Sequence, residues 1–468
     1  MTEPGLERPY FDTTSVRAEL RTRTVRSVFS AVTGRGLSLI LNLVSVTVLA
    51  RLLVPADFGV IAMVTPVATV ASMTLNLGIN FALLHEEDVN DVQITRLFWI
   101  AQASNVVTLG AMALLAPMLV WLYREPRVAA VTMIWAVSLG MQGLGAAHEA
   151  ILKRQLRFGW LTFFQVGGLA LGVVLAIVAA SRGAKHLALM LPIVAADVAR
   201  GAGAWMLCSW RPRWVAPRNW LDPAVHKLVS YGSHLSAYRG IYWAGRQADR
   251  FIVGYIAGAS TAGLYDSARR WSWYPFQELF QSLTDVAVAS LSRARADAER
   301  FRMFWRRGLT AFLALPLPAT AFIFVEADHA VRVVLGARWL DAVPLVRIMC
   351  ISAFIGSVSR LTMWVYTAEG RTQQQLRWGL ITTPVMLTCV VIGATRGATG
   401  VAWAFAIGVA ILTIPTLAYC LRGSALTWGD FGAAVWRPVV SSLVAAAVSV
   451  SVRPVVPVPG FLIAEFVL

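Results

Sequence analysis

Residues Leu228-VSYGSHLSAYRGIYWAGRQADRFIVGYIAGASTAGLYDSARRWSWYPFQELFQSLTDVAVAS-Leu291 hold two apolar runs, each long enough to cross a bilayer, yet they carry Arg239, Arg246, Arg250, Arg269 and Arg270. An arginine at mid-bilayer costs roughly 2.5–3.5 kcal/mol on an insertion scale, so five facing lipid would cost about 12–17 kcal/mol. These side chains are therefore expected to face water, counter-ions or an anionic ligand. Arg239, Arg246 and Arg250 fall on one helical stripe, with Tyr242 and Trp243 beside it. Arg250 lies about seven residues, roughly 10 Å, from the end of its helix. Arg269 lies at a similar depth on the next, so an antiparallel hairpin brings these charges together. Asp249 and Asp266 are at matching depths and are the natural counter-ions, or groups that carry a coupled cation. Two acids cannot neutralise five arginines, so a net positive site is expected. Arg35, between Gly34 and Gly36, is a sixth candidate in the other half of the chain.

Two readings of the stripe stand side by side. The arginines can hold helices together through carboxylates or snorkel to the interfaces. Alternatively, they can line an electropositive, water-filled cavity, because guanidinium forks match phosphate oxygens. Tyr242, Trp243, Trp271, Trp273 and Tyr274 would suit sugar faces or a lipid chain, and equally suit packing. Arg200, one turn after Asp197, reads as an internally paired couple. Arg347 and Arg360 are open.

The surrounding chain reads as an all-α, polytopic membrane protein. It has 468 residues, 57% hydrophobic and only 14% charged, where a soluble domain carries about 25%. Its mean hydropathy is +0.63. Apolar runs of spanning length recur at 28–53, 58–84, 95–122, 128–150, 158–181, 186–208, 228–257, 261–291, 303–325, 342–367, 376–395, 398–421 and 433–452. A final apolar stretch, Val455–Leu468, is too short to span and is expected to be interfacial or part of an incomplete helix. The expected organisation is an N-terminal segment 1–27, a six-helix lobe 28–208, a polar linker 209–227, a second six-helix lobe 228–421 and accessory helices within 433–468. Residues 1–26 are polar and of mixed charge, and no signal peptide is expected.

The net charge of +16 would suit nucleic-acid binding in a soluble protein. Here the sidedness of membrane loops accounts for it. The loops sharing a side with the N-terminus hold 23 basic residues and the opposite loops nine, which places the N-terminus in the cytoplasm. The acidic loop His85–Arg96 weighs little, because the rule counts basic residues. Cys208, Cys350, Cys389 and Cys420 have no metal or CxxC spacing and read as small buried hydrophobes.

Two short matches suggest an internal repeat. Leu52-LVPADF-Gly59-Val60 follows the first span, and Ile256-AGASTA-Gly263-Leu264 follows the seventh. Gln155-LRF-Gly159 follows the fourth, and Gln375-LRW-Gly379 the tenth. Six spans separate each pair, so the halves would run parallel, as two bundles around a central cavity. Pro66, Pro192, Pro275, Pro384 and Pro415 fall inside spans, where they break helices along a pathway or are simply tolerated.

No enzyme constellation is visible. GxxxxGK[ST], HExxH and GxSxG are absent, and the internal loops are short. His148-Glu149 at the end of a span reads as structural, with a proton site as the alternative. No catalytic residue, metal or organic cofactor is expected; a proton or sodium ion is the open question for coupling.

Several motifs then resemble one family. Leu49-ARLLVPADF-Gly59, Leu152-KRQLR-Phe158, Ala248-DRFIV-Gly254 with Ala262-GLYDS-Ala268, Leu291-SRARA-Asp297 and Val334-LGAR-Trp339 are similar, in this order, to those of the polysaccharide transporter family, the Wzx-type flippases. The resemblance covers about residues 30–420. It departs where family members often carry a proline before Leu291-Ser292-Arg293, at Ala289 and Ser290. It implies the fold of the multidrug/oligosaccharidyl-lipid/polysaccharide exporter superfamily. It also implies a bacterial inner-membrane protein whose substrate is an undecaprenyl-diphosphate-linked oligosaccharide, moved to the periplasmic leaflet for exopolysaccharide, capsule or O-antigen synthesis. A polymerase and a chain-length regulator are the implied protein partners. Alternatives are a lipid-linked peptidoglycan precursor flippase, a cation-coupled drug exporter, which would want acids where this chain has arginines, and a major-facilitator transporter. From another class, a membrane polymerase or ligase would want a large aqueous-side loop.

Overall fold

In lipid each backbone N–H and C=O needs a partner within its own segment, and the apolar runs accordingly form helices. A computed structural model describes residues 20–74, 90–155, 157–217, 220 and 223–452, and all regular structure among them is helical. Val455–Leu468, residues 75–84 of the second expected span and residues 85–89 of the acidic loop lie outside the described residues. The helices are α1 (Leu20–Leu52), α2 (Pro55–Thr74), α3 (Asp91–Tyr123), α4 (Arg127–Arg154), α5 (Phe158–Ser181), α6 (Leu191–Leu207), α7 (Pro223–Ala294), α8 (Ala298–Ala314), α9 (Pro316–Val325), α10 (Ala327–Val334), α11 (Val343–Arg360), α12 (Thr362–Glu369), α13 (Thr372–Ala394), α14 (Gly397–Leu421) and α15 (Trp428–Val452). Short 3₁₀ segments, Lys185–Met190 and Ala337–Ala342, lead into α6 and α11.

Eleven stretches among the described residues are apolar and long enough to cross a membrane. They coincide with the expected spans 1–6 and 9–13. Large apolar side chains stand exposed on them, such as Leu114 at 79% and Trp121 at 77%, as lipid contact requires. The two remaining spans are the arms of α7, whose charges set them apart.

The boundaries differ from expectation where a proline or glycine acts locally. The ninth span is two helices, α8 and α9, because Pro316 starts a new helix after Leu315. The tenth contains α11 and α12, with a break at Leu361. Pro66, Pro275, Pro384 and Pro415 sit inside continuous helices, whereas Pro192 lies in the first turn of α6, where its missing N–H costs nothing. The short α10 was not legible as an element; it buries Ala327 and Val331 against its neighbours.

By contacts the chain divides into two compact units, 1–53 with 63–244, and 54–62 with 245–468. In the first, α5 packs along α6 and α1, and α4 along α3 and α6. Glycines set these approaches: a Cβ on Gly145 would lie 2.9 Å from Gly201 Cα, and one on Gly172 2.6 Å from Pro192 Cα. The segment after α6, which reads as a polar linker, is folded onto this unit. Trp210 is fully buried and its indole N–H donates to Asp91 Oδ1 at 2.7 Å, while Trp99 donates to Arg213 O at 2.9 Å. Its aromatic residues, not its prolines, decide its behaviour. In the second unit α13 packs on α14, α11 on α14, and α15 on α8 and α9. Phe276, Phe312 and Trp364 centre its core, with Trp364 stacked on Phe280 at 5.8 Å and donating to Thr284 Oγ1 at 3.0 Å.

The two repeat matches fare differently. Gly59 and Gly263 both lie near the start of a helical arm, α2 and the second arm of α7. Gly159 is the second residue of α5, but Gly379 lies two turns into α13. The second match is therefore a likeness of letters without a shared local structure. Cys208, Cys350 and Cys420 are buried and Cys389 partly so.

Candidate functional site: the arginine hairpin

The arms of α7 are helical throughout except at Gly258, where φ is 73° and ψ is −179°, a conformation open to glycine and strained for other residues. The chain reverses there, and pairs centred on this residue face one another. Asp249 meets Tyr265 and Arg269; Arg250 meets Asp266. Tyr265 Oη donates to Asp249 Oδ2 at 2.8 Å, and Arg269 Nη1 donates to the same oxygen. Arg250 Nε lies 2.7 Å from Asp266 Oδ1, and Arg250 Nη1 donates to Gln247 Oε1 at 2.7 Å. One turn further, Arg270 Nη2 donates to Asp266 Oδ2 at 3.1 Å. The Arg269 guanidinium also covers the Phe405 ring of α14 at 4.9 Å.

The expected hairpin and its depth-matched counter-ions are thus present, but the five arginines do not act as one wall. Arg250 and Arg269 are sheltered, with side chains 16% and 13% exposed, and their charges are spent on Asp266 and Asp249. Here internal pairing is what the geometry shows. Arg270 differs: its side chain is 48% exposed while still touching Asp266. Three arginines against two aspartates leave one positive charge, and the exposed fork of Arg270 presents it. Arg239 and Arg246 belong to the first arm, but their side chains, like those of Tyr242 and Trp243, lie outside the described residues. Arg35 is exposed on α1 in the first unit, beside Gly34, whose Cβ position would overlap Thr162 of α5.

The aromatic residues of the second arm pack more than they present. Trp273 donates to Ser352 Oγ at 3.3 Å, and Arg360 of α11 lies over the Trp273 and Phe280 rings at 5.6 and 5.1 Å. Trp271 and Tyr274 lie 6.3 Å apart. Arg347 pairs with Asp328 at 2.5 Å.

In the first unit one expected pair is corrected. Arg200 does not pair with Asp197 on its own helix; its Nε lies 2.9 Å from Glu149 Oε1 on α4. The close α4–α6 crossing at Gly145 and Gly201 brings that carboxylate within reach. Glu149 also holds Lys153 at 3.2 Å, and His148 packs against Trp205 with ring centroids 4.0 Å apart. Asp197 instead accepts a hydrogen bond from Ser138 Oγ at 2.7 Å.

Residues 48–344 match the family model described as "Polysaccharide biosynthesis protein". The chain belongs to this family. It is 21% identical over 415 residues to "Lipopolysaccharide biosynthesis protein WzxC" of Escherichia coli (strain K12), covering 87% of this chain and 83% of that protein. It is 23% identical over 387 residues to "Succinoglycan biosynthesis transport protein ExoT" of Rhizobium meliloti (strain 1021), covering 82% of this chain and 76% of that one. Among solved structures, "Lipid II flippase MurJ, inward closed conformation" aligns with a TM-score of 0.67 at 15% identity, covering 91% of this chain and 92% of that one. An inward-facing multidrug resistance MATE family transporter aligns at 0.66 and 13% identity, covering 82% and 94%. The chain therefore shares its fold with these two transporters, and it is a multi-pass membrane protein of a polysaccharide transporter family.

Proposed function

We propose that the protein is a flippase of the bacterial inner membrane that moves an undecaprenyl-diphosphate-linked oligosaccharide from the cytoplasmic to the periplasmic leaflet, supplying exopolysaccharide, capsule or O-antigen synthesis. The observation that carries this reading is the α7 hairpin. Asp249 and Asp266 hold Arg250 and Arg269 in place, and Arg270 is left with a half-exposed fork and a net positive charge behind it. A diphosphate offers the oxygen pairs such a fork binds. In this reading Arg270 engages the diphosphate, Arg239, Arg246 and Arg35 add positive charge along its path, and Arg250 and Arg269 position Arg270. The N-terminus is cytoplasmic, the two lobes alternate access by rocking, and the polymerase and chain-length regulator of the same polysaccharide act downstream.

The test measures lipid-linked oligosaccharide at the outer leaflet in cells carrying Arg270→Gln or Arg270→Lys at wild-type protein level. Gln should abolish outer-leaflet accumulation and Lys should retain part of it, because an ammonium keeps the charge but loses the fork. Full export by Arg270→Gln would sink the site.

A further inference from the structure

Several sheltered carboxylates in the second unit are matched with arginines. Asp266 has Arg250 at 2.7 Å, Asp249 has Arg269, Glu369 has Arg371 at 2.7 Å and Asp430 has Arg306 at 3.5 Å. In the first unit Glu149 has Arg200 at 2.9 Å. Asp197 differs from these in its direct partners. Its hydrogen bonds come from the neutral side chains Ser138, at 2.7 Å, and Gln142, both of α4. Its neighbour on the same helix, Arg200, makes its ion pair with Glu149, and both of these charges act on Asp197 from nearby without bonding to it. Asp197 lies ten residues, about 15 Å, before the end of α6, within a spanning stretch from Lys185 to Leu207. Mid-span acids are costly and mark proton or ion paths.

We propose that Asp197, with Ser138 and Gln142, forms a proton-binding site at which a proton is taken up and released during the cycle. The charge accounting separates it from the hairpin. Protonating Asp249 would strand the sheltered guanidinium of Arg269, and protonating Asp266 that of Arg250. Protonating Asp197 breaks no ion pair: the carboxylate becomes a carboxylic acid, whose new O–H can donate to Ser138 Oγ in place of the bond it accepted.

The surroundings fix the site. Against α6, α5 packs through Gly168 and Gly172, whose Cβ positions would fall 2.6 Å from Ala195 O and Pro192 Cα, and α5 carries no ionisable side chain. On α4 the ionisable groups toward this region are His148, Glu149 and Lys153, the last two joined to each other and Glu149 to Arg200. On the 3₁₀ lead-in, Lys185 and His186 lie some 11 residues away, at the other end of the span. Asp197 is partly exposed.

Proton binding itself does not depend on the flippase reading; only its coupling to transport does. The experiment is infrared difference spectroscopy of the purified full-length protein in lipid, moved from mildly acidic to mildly alkaline buffer with no substrate present. The expected result is a protonated-carboxyl band that disappears in Asp197→Asn, persists in Asp249→Asn and shifts in Ser138→Ala. A band of full intensity in Asp197→Asn, or no titrating carboxyl band in the wild type, overturns the site. The near-isosteric Asn variant is checked for a monodisperse elution profile. Ser138→Ala keeps the carboxylate and provides a second readout should the Asn variant misfold. In proteoliposomes, flipping of the lipid-linked oligosaccharide should be accelerated by a pH gradient in the wild type and lose that acceleration in Asp197→Asn. Absence of any flipping by the wild type would count against the proposed function while leaving the infrared result to judge the proton site.

Discussion

Gly59 and Gly263 stand at the same place in the first repeat match, and each lies against the other's helical arm. A Cβ on Gly59 would fall 1.6 Å from Ala259 O, and a Cβ on Gly263 would fall 1.9 Å from Pro55 O. Ala259 and Pro55 each precede their glycine by four residues, so the contact is reciprocal. Small residues four apart let membrane helices approach to backbone contact. Either glycine changed to Val should overpack this crossing and cost about 1–3 kcal/mol. The check is the thermal midpoint of the detergent-solubilised protein. Gly36→Ala is the control: nothing lies within 4 Å of its Cβ position, so its midpoint should hold or rise.

What the sequence showed well was set by local spacing. Arg250 and Asp266 are symmetric about Gly258, and Asp249 and Arg269 nearly so, so a hairpin there brings each pair together. Spanning helices follow from run length alone. What it hid was set by tertiary approach. Asp197 and Arg200 have the spacing of a helical ion pair, yet Arg200 turns to Glu149 because glycines bring α4 and α6 together. The linker reads as polar by its prolines and charges; its three tryptophans, Trp210, Trp214 and Trp220, were the available sign that it packs. The split of the arginines into sheltered and exposed could not be read from spacing, since it depends on which neighbours cover each face.

The packed linker gives the second prediction. Trp210 is fully buried, in ring contact with Phe98 and His148, and its N–H is held by Asp91. Trp210→Ala should cost about 3–5 kcal/mol by leaving a cavity. It should also free the segment carrying Arg211 and Arg213 for limited trypsin cleavage. Trp210→Phe keeps most of the volume and should cost less, mainly the lost hydrogen bond, about 1–3 kcal/mol. Unchanged tryptic patterns in the Ala variant would show that the segment does not depend on this residue.

Glu125, in the turn between α3 and α4, supplies a pH-dependent test outside the spans. Arg127 donates to both of its oxygens at 2.9 Å, and this fork holds the Glu125 carboxyl below its ordinary value of 4.5. A depressed folded-state value means stability that is complete above the ordinary value and is lost as pH falls through the depressed one. Both side chains are partly exposed, so the pair should contribute no more than about 1 kcal/mol. Wild type and Glu125→Gln should therefore keep a constant small gap in thermal midpoint above about pH 4.5 and converge below it. A gap that widens in acid contradicts the sign.

The hairpin makes the sharpest separation between structure and transport. Breaking a sheltered ion pair by removing one partner leaves an uncompensated charge and costs about 3–5 kcal/mol. Arg250→Ala and Asp266→Asn should therefore lower the thermal midpoint and the protein level together. Arg250→Ala combined with Asp266→Asn should recover much of that loss, because both charges are then gone. Arg270→Ala removes a half-exposed partner and should change stability by less than about 1 kcal/mol. Its effect should fall on export, measured as lipid-linked oligosaccharide reaching the outer leaflet per molecule of protein. If Arg270→Ala exports normally while Arg250→Ala at matched protein level does not, the roles of the two arginines are reversed. The positive charge presented to the substrate would then come from the inner pair rather than from the exposed fork.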